Sequence, residues 1–290
     1  MKKHIFFSNE RGFALLITLL IIVLLGAVVV EFSYSARVYL LQEKNRVTRL
    51  KAFYLAKSGI NWGRYILLKD QNESKYDGLD EDWAKEIINL PLGEGTLSVK
   101  VVDEEGKFNI NTLVRNNGNI DAKSLDRFRR LLEEIGFRTE LADEIVEFLR
   151  GKEETQYNIN KLTDLLKIGI LSLKEFNLLK RFVTVSTIGP VNINTSLKEV
   201  LASLSNKLTP FLVDEIIKHR EEKPFESKND VDNVPGIDSQ ILSSFFDAID
   251  IKSNFFTIIA NAEVNGIVNG IEALLKRKEG TIDTVIWKEK

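Results

Sequence analysis

The side chains that most often carry out chemistry are scarce in this chain. Its 290 residues include no cysteine and two histidines, His4 and His219, which excludes disulfides, thiol nucleophiles and thiolate metal sites. His4 lies in a basic leader and His219 lies between Lys218 and Arg220, so neither a histidine metal cluster nor a Ser/His/Asp triad is indicated. We expect His219 to be a solvated surface residue, and we expect the chain not to be an enzyme.

Carboxylates are the other side chains that offer a site. The stretch 145–160 contains three carboxylates, Glu147, Glu153 and Glu154, together with Tyr157. Calcium prefers about six to eight oxygen ligands, typically with several carboxylates, and this stretch has no closely spaced aspartates. A second acidic stretch, Asn229-Asp230-Val231-Asp232, is more typical of a loop that caps a helix. We therefore expect no cofactor, and the sequence leaves open whether a metal is bound.

The elements that must position these residues begin with an apolar segment. Phe13 to Val30 form an eighteen-residue run without charge, which as a helix spans roughly 27 Å, close to the thickness of a bilayer core. Lys2, Lys3 and Arg11 precede the run, so the leader is expected to stay cytoplasmic and the rest of the chain to lie on the other side. With 44% hydrophobic residues and a net charge of −2, that remainder has the composition of a globular protein.

Three interpretations of the apolar segment are open. The first is an ordinary signal peptide, for which Ser33-Tyr34-Ser35 before Ala36 offers a small-x-small cleavage site. The apolar region of a signal peptide is usually only ~7–15 residues long, which is shorter than the run in this chain. A plain membrane anchor explains the hydrophobicity alone. The third interpretation is a resemblance: Arg11-Gly12-Phe13-Ala14-Leu15-Leu16, behind Lys2-Lys3, is similar to a class III prepilin signal. This resemblance implies cleavage between Gly12 and Phe13 by a membrane aspartyl peptidase, and N-methylation of Phe13.

The fifth residue from Phe13 is Ile17, where most pilins and pseudopilins carry a glutamate that neutralises a neighbour's terminal amine. A carboxylate buried in hydrocarbon costs several kcal/mol unless it is paired, so a subunit at a filament tip, without that neighbour, does better without the acid. A chain that lacks this glutamate and carries a large extra domain resembles the type II secretion minor pseudopilin K family.

Two further stretches resemble that family. Residues 49–61, RLKAFYLAKSGIN, are similar to its A-x-Y-x-A-E-A-G signature, with Lys57 where glutamate is common. Residues 101–113, VVDEEGKFNINTL, are similar to its D-x-x-G-K-x-N-I-N segment. We expect Asp103 and Gly106 in the second stretch to set a turn rather than to carry chemistry.

The periodicity predicts an amphipathic helix to about Leu68, a short helix near 81–89, and a hairpin of 95–102 with 107–111. Strands are predicted at 255–264, 267–277 and 281–288. Between the two strand regions, apolar stripes predict seven helices, at 124–136, 140–151, 161–169, 172–183, 196–205, 210–221 and 238–249. Five residues have the type and position of helix N-caps: Asp121, Thr139, Ser172, Ser196 and Thr209.

The helical block also repeats itself. NINT occurs at 109–112 and at 192–195, ADEIVEFLRG at 142–151 is similar to VDEIIKHREE at 213–222, and DLLKIGI at 164–170 is similar to DNVPGI at 232–237. The order is the same in both copies, which predicts two helix-hairpin-helix or SAM-like units.

The expected fold is α+β, with a long N-terminal helix packed on an antiparallel sheet and a large helical insertion, as the family resemblance implies. The expected regions are a leader at 1–12, a transmembrane and amphipathic helix at 13–69, a first pseudopilin part with a hairpin at 70–111, an inserted helical domain at 112–250, and C-terminal strands at 251–290.

The resemblance further implies a minor pseudopilin that caps the pseudopilus tip, helps to initiate its assembly and serves protein export. The implied partners are the I and J minor pseudopilins, the major pseudopilin, prepilin peptidase and the inner membrane, with the C-terminal domain in the periplasm. Family relatives carry calcium in the helical domain on an Asp-rich motif that 145–160 does not match.

Two alternatives stay open: a minor pilin of a type IV pilus, and a membrane-anchored helix-hairpin-helix protein that binds DNA. Residues 196–250 carry six Lys or Arg against eleven Asp or Glu, and 121–182 carry twelve of each. A protein that binds the DNA backbone needs clustered cations, so we expect no nucleic-acid partner.

Overall fold

The computed structural model describes residues 10–151, 159–167, 169–187 and 189–290. Eight α-helices and nine strands follow one another in these segments: α1 (Glu10–Glu73), β1 (Ile87–Leu92), β2 (Gly95–Asp103), β3 (Phe108–Asn109), α2 (Ala122–Glu134), α3 (Leu141–Arg150), α4 (Asp164–Lys167), α5 (Leu173–Leu179), β4 (Val183–Thr184), β5 (Val191–Asn192), α6 (Lys198–Ser203), α7 (Pro210–Glu222), α8 (Ser239–Phe245), β6 (Ile249–Asp250), β7 (Phe255–Val264), β8 (Ile267–Lys278) and β9 (Thr281–Glu289). Short 3₁₀ helices occur at Asp82–Ala84, Ile110–Leu113, Lys228–Asn233 and Phe246–Ala248.

The five long strands form one antiparallel sheet in the order β1-β2-β7-β8-β9. The second half of α1 packs across this sheet, where Ala56, Ile60 and Leu67 are buried against strand residues such as Val99 and Ile258. The alternation of apolar residues in the C-terminal strands predicts their burial on one face, and all three predicted strands are confirmed.

Two glycines allow α1 to lie close to the sheet. A Cβ on Gly59 would lie 2.8 Å from Val99 Cγ2, and a Cβ on Gly63 would lie 2.5 Å from Ile258 Cδ1. Lys57, in the same turn, is exposed. Gly59, in the stretch that resembles the family signature, and Gly63, just after it, therefore allow the short distance between helix and sheet.

The chain leaves the sheet after β2 and returns at β7, and the helices between them surround a second core. Each half of this helical region is closed by a short parallel pair, β3 with β4 and β5 with β6. Among its largest fully buried side chains are Phe128, Phe225 and Phe245. The expected α+β class with a helical region is therefore confirmed.

The predicted duplication is visible in two matching asparagines. Asn111 Oδ1 accepts a hydrogen bond from Ile159 N at 2.8 Å, and Asn194 Oδ1 accepts one from Phe225 N at 3.0 Å. Each asparagine also donates to a backbone carbonyl, Asn111 to Ile159 and Asn194 to Phe225. The repeated NINT sequence thus satisfies buried backbone groups at the same place in both units.

Two predicted elements before the helical region are wrong. The expected short helix at 81–89 is a single 3₁₀ turn followed by β1. The expected hairpin of 95–102 with 107–111 does not form, because β2 pairs with β1 and β7 while Phe108–Asn109 pairs with Val183–Thr184. Alternation identifies a strand but not its partner, and Pro91 obscures β1, which lies at the edge of the sheet where proline is tolerated.

The N-terminal ends of the helices agree with the predicted caps at three of five positions. The side chains of Asp121, Ser172 and Thr209 accept capping hydrogen bonds as expected. The expected caps at Thr139 and Ser196 are wrong, since α3 follows Glu140, and Leu197 precedes α6. Ser196 is instead fully buried.

Candidate assembly surface

The first half of α1 stands free of the rest of the molecule. Its most apolar eighteen-residue window has a mean hydropathy of 3.2, and none of the window is buried. Within the described residues, α1 is the one helix long and apolar enough to cross a membrane. The apolar N-terminal helix therefore fits a single-pass membrane anchor.

The residues predicted for processing lie in this free segment. Gly12 and Phe13 are both helical, since α1 begins at Glu10. Ile17 is 41% exposed on the same helix. Cleavage after Gly12 and the role of Ile17 stay predictions. Lys2, Lys3 and His4 lie outside the described residues.

An apolar groove continues this surface at the point where α1 reaches the sheet. Its cavity is about 580 Å³, and its walls include Val47, Leu50, Tyr54, Leu55, Leu92 and Val264. Val47, Leu50 and Tyr54 are exposed. An exposed apolar groove beside an amphipathic helix has the chemistry to receive the apolar face of another helix.

A buried aspartate joins the sheet to the helical region. Asp103 ends β2, and its Oδ1 accepts a hydrogen bond from Glu105 N at 2.8 Å, so Asp103 sets the turn as expected. Its Oδ2 also accepts bonds from Thr195 Oγ1 at 2.6 Å, Ser253 Oγ at 2.7 Å and Asn192 Nδ2 at 3.0 Å. Asp103 therefore does more than form a turn, because it holds both ends of the second repeat.

The turn itself fits closely against that repeat. A Cβ on Gly106 would lie 2.8 Å from Thr195 Oγ1. Glu104 accepts hydrogen bonds from Thr184 Oγ1 at 3.0 Å and from Thr257 Oγ1 at 2.7 Å, and it forms an ion pair with Lys107 at 3.0 Å. The turn 103–107 is thus bonded to both repeats and to β7.

Burial changes the acidity of this turn. Burial raises the pKa of Asp103 to about 6, although hydrogen bonds from Thr195 and Ser253 oppose the shift. Burial likewise raises the pKa of Glu105 to about 7, against the opposing hydrogen bond from the Asn254 backbone N–H. Both shifts follow from the high cost of burying a charged carboxylate.

A second carboxylate group lies at the C-terminal end of α1. Oxygens of Asp70, Asp77 and Glu81 lie within 4.8 Å of one another, and Arg277 pairs with Asp70 at 3.1 Å and also with Asp77. Burial and the adjacent Glu81 carboxylate raise the pKa of Asp70 well above its ordinary value. The sequence does not reveal this group, because its members come from a helix end and a polar connection with no motif.

The acidic residues singled out in the sequence lie elsewhere. Glu147 is exposed on α3, while Glu153, Glu154 and Tyr157 lie outside the described residues. Asp230 Oδ2 accepts hydrogen bonds from the backbone N–H groups of Glu226 and Ser227, which confirms the expected capping loop. The expectation of a solvated His219 is wrong: its ring is half-buried and stacks on the buried Phe225 ring with centroids 4.9 Å apart.

Comparisons with known proteins agree with this architecture. Family models described as type II secretion system protein K match residues 106–164 and 191–251, which fall in the first and second helical repeats. The type II secretion system protein K of Pseudomonas aeruginosa is 25% identical over 254 residues, covering 77% of this chain and 76% of that protein. The protein of the same name from Pectobacterium carotovorum is 24% identical over 152 residues, covering 49% and 45%.

A solved structure has the same fold. The chain superposes with a TM-score of 0.69 on a chain of the GspK-GspI-GspJ complex from the type 2 secretion system of enterotoxigenic Escherichia coli. The match covers 86% of this chain and 99% of the other at 15% identity. The fold of most of this chain is therefore shared with that protein.

Proposed function

We propose that this chain, a minor pseudopilin that belongs to the type II secretion system protein K family, caps the tip of the secretion pseudopilus and helps to initiate its assembly. The observation that carries the proposal is the placement of the apolar helix and of the helical region in the molecule. The N-terminal part of α1 is a free apolar helix without a carboxylate at Ile17, and the helical region joins the sheet beyond the other end of α1, where Asn192 Nδ2 donates to the Asp77 carbonyl at 3.0 Å.

The geometry supports a place at the end of a filament. A subunit in the middle of a filament must be covered on both sides along the fibre axis, and the helical region adds a second core, separate from that of the helix and sheet, which a subunit stacked on it would have to accommodate. At the helix end, Ile17 offers no anion for the terminal amine of another subunit. A subunit with both features can start a filament and is poorly suited to continue one.

The proposed partners are the I and J minor pseudopilins, with the major pseudopilin below them. The solved chain with this fold comes from a GspK-GspI-GspJ complex, and the apolar groove next to Leu50 and Tyr54 has the chemistry to bind a partner's helix. We further propose an inner-membrane location, with the C-terminal domain in the periplasm and with a structural rather than enzymatic role.

The proposal includes maturation by prepilin peptidase between Gly12 and Phe13, with methylation of Phe13. The proposed regions are those expected from the sequence: leader 1–12, helix 13–69, first pseudopilin part 70–111, helical insertion 112–250 and C-terminal strands 251–290. Intact mass and N-terminal sequencing of membrane-extracted protein, with and without co-expressed peptidase, test the maturation. A methylated Phe13 supports it, whereas an intact Met1 or a start at Ala36 contradicts it.

Substitution at Ile17 tests the tip role. Ile17→Glu places an unpaired carboxylate in the membrane at the filament end, so we expect fewer pseudopili and less secretion than with wild type. Ile17→Val keeps the apolar character and is the matched control, with unchanged secretion. Unchanged initiation and secretion by Ile17→Glu, together with its incorporation all along the fibre, contradict the tip role.

A further inference from the structure

A group of three carboxylates lies where α1 meets the connection to β1. Asp70 belongs to the last turn of α1, while Asp77 and Glu81 belong to the connection, and one oxygen of each lies within 4.8 Å of the others. Two oxygens bound to one calcium ion at about 2.4 Å can be at most about 4.8 Å apart. The spacing therefore allows one ion to be bound by all three residues.

One oxygen in the group has no partner. The Asp77 side chain is 0% exposed, and its Oδ2 accepts a hydrogen bond from Ser253 N at 2.7 Å and pairs with Arg277. Its Oδ1 is buried without any hydrogen-bond partner in the part of the chain that the structure describes. A buried carboxylate oxygen without a partner is costly, so this atom requires a positive or hydrogen-bonding ligand.

The charges of the group do not balance. Arg277, with a 3% exposed side chain, contacts Asp70 at 3.1 Å and also pairs with Asp77. Nearby, the Lys252 Nζ is bonded to the Ser74 carbonyl at 2.8 Å. With all three carboxyls ionised, as they are when they bind a cation, one guanidinium leaves an excess of two negative charges, which one divalent cation neutralises.

Solvent reaches Asp70 and Glu81 through an acidic cleft. The cleft measures about 550 Å³, and besides Asp70 and Glu81 its walls carry the carboxylates Glu73, Asp80, Asp82 and Glu226, with Lys69 and Lys75 as the cations. Asp80 accepts a hydrogen bond from Tyr76 OH at 2.9 Å, and Lys75 lies 3.8 Å from Glu226. An ion thus has a route of entry and room for water ligands, which calcium needs beyond three carboxylates.

We propose that Asp70, Asp77 and Glu81 form a binding site for a divalent cation of the calcium type. Oxygen-only ligands and an irregular, partly hydrated geometry favour calcium over metals that prefer nitrogen or sulfur. The site is in the sheet-bearing part of the molecule, separate from the 145–160 stretch of the helical region. It does not rest on the proposed tip function.

The ion would hold together three parts of the chain. It links the last turn of α1 to the connection 74–86, whose Asp77 carbonyl accepts a hydrogen bond from Asn192 Nδ2 at 3.0 Å. Asp77 N in turn donates to the Ile251 carbonyl at 2.8 Å. Binding therefore stabilises the place where the helical region joins the sheet.

Terbium provides a direct probe, because it replaces calcium and is excited by nearby aromatic rings. Trp83 Nε1 donates to Glu81 Oε2 at 2.9 Å, so terbium bound to Glu81 lies close to an indole. We would titrate detergent-solubilised, EDTA-treated full chain with Tb³⁺, displace it with Ca²⁺, and follow the unfolding temperature with and without Ca²⁺. We expect sensitised emission that Ca²⁺ removes, and a higher unfolding temperature with Ca²⁺.

Variants locate the site. Glu81→Gln keeps an oxygen acceptor for Trp83 and is expected to weaken Ca²⁺ binding about tenfold or more, because ligand charge sets affinity. Asp70→Asn is a second variant. Asp77 is left unchanged, because substitution of this fully buried partner of Arg277 could cause misfolding. Asp82→Asn, exposed in the same cleft, is the matched control and is expected to bind like wild type.

A double variant of the other acidic stretch, Glu153→Gln with Glu154→Gln, separates the two locations. Unchanged binding in that variant with weakened binding in Glu81→Gln supports the site. Absence of Ca²⁺ binding by the wild type at up to about 10 mM, above the range of weak extracellular sites near 1 mM, overturns it. The proposal is also overturned if the double variant loses all Ca²⁺ binding while Glu81→Gln and Asp70→Asn bind Ca²⁺ like the wild type.

Discussion

Asp103 Oδ2 accepts a hydrogen bond from Asn192 Nδ2 at 3.0 Å, and both residues are buried. This bond joins the end of β2 to the start of the second helical repeat, 89 residues later in the chain. The same Asn192 amide contacts Ser253 Oγ at 2.8 Å, just before β7. The point where the chain leaves the sheet and the point where it returns are therefore held by one asparagine.

Asn192→Ala is expected to destabilise the chain by about 2–3 kcal/mol, because it removes hydrogen bonds from buried acceptors that have no access to water. The measurement is urea or thermal unfolding of the detergent-solubilised full chain. Asn61→Ala, at an exposed position on α1, is the control and is expected to change stability little. Equal effects of the two substitutions would show that the Asn192 amide is not important for the junction.

Stability is expected to fall as pH rises from about 5 to 8. Burial raises the pKa of Glu105 to about 7, above its ordinary value of about 4.5, so between these values the folded chain binds this proton more tightly than the unfolded chain. The stabilisation that protonated Glu105 contributes to the folded chain is therefore complete below pH ~4.5 and is lost as pH rises through ~7. Unfolding temperatures across this range measure the effect.

Glu105→Gln isolates the contribution of this carboxyl, since glutamine still offers an oxygen to Asn254 N. The variant is expected to lose less stability than the wild type between pH 5 and 8. Some dependence on pH is expected to persist, because the pKa of Asp103 is also raised, to about 6. An unchanged pH profile in Glu105→Gln would exclude Glu105 as a titrating group in this range.

Gly63→Ala is expected to destabilise the packing of α1 on the sheet by about 1–2 kcal/mol. The added Cβ would lie 2.5 Å from Ile258 Cδ1, and this overpacking outweighs the gain of about 1 kcal/mol from a better helix former. Gly26→Ala is the same change in the same helix, at a position with no neighbouring atom within 4 Å. Thermal unfolding of both variants should show a loss for Gly63→Ala alone.

Tyr54→Ala is expected to weaken the proposed association with the I and J minor pseudopilins, because Tyr54 is 62% exposed on the wall of the apolar groove. Co-purification of the three membrane proteins measures the association, with a decrease of about fivefold or more expected from the loss of an exposed aromatic anchor. Tyr65→Ala removes an equally exposed tyrosine from α1, at 65%, outside the groove. Equal co-purification by both variants would place the interface elsewhere.

Much of the fold follows from local patterns in the sequence. The apolar run and the helical periodicity predict α1, alternation predicts the strands from Phe255 onward, and the repeated NINT predicts the two helical units. Each pattern is local or repeated, so no knowledge of distant contacts is needed.

Long-range pairing could not be predicted in the same way. The sequence predicts that β2 pairs with the nearest strand-like stretch, whereas the actual partners are β1 and a strand more than 150 residues away. The group formed by Asp70, Asp77 and Glu81 with Arg277 depends on the same long-range arrangement, because Arg277 lies on β8. Charges in a polar connection give no sign that folding will bury them.

The position of this subunit along the pseudopilus tests the proposed function most directly. Fibres would be sheared from cells in which the chain, tagged on an exposed loop of the helical region, replaces the wild-type copy, and then labelled with gold and imaged. We predict about one label for each fibre, always at one end. Labels spaced along the fibre, at a frequency that rises with fibre length, would contradict a tip position.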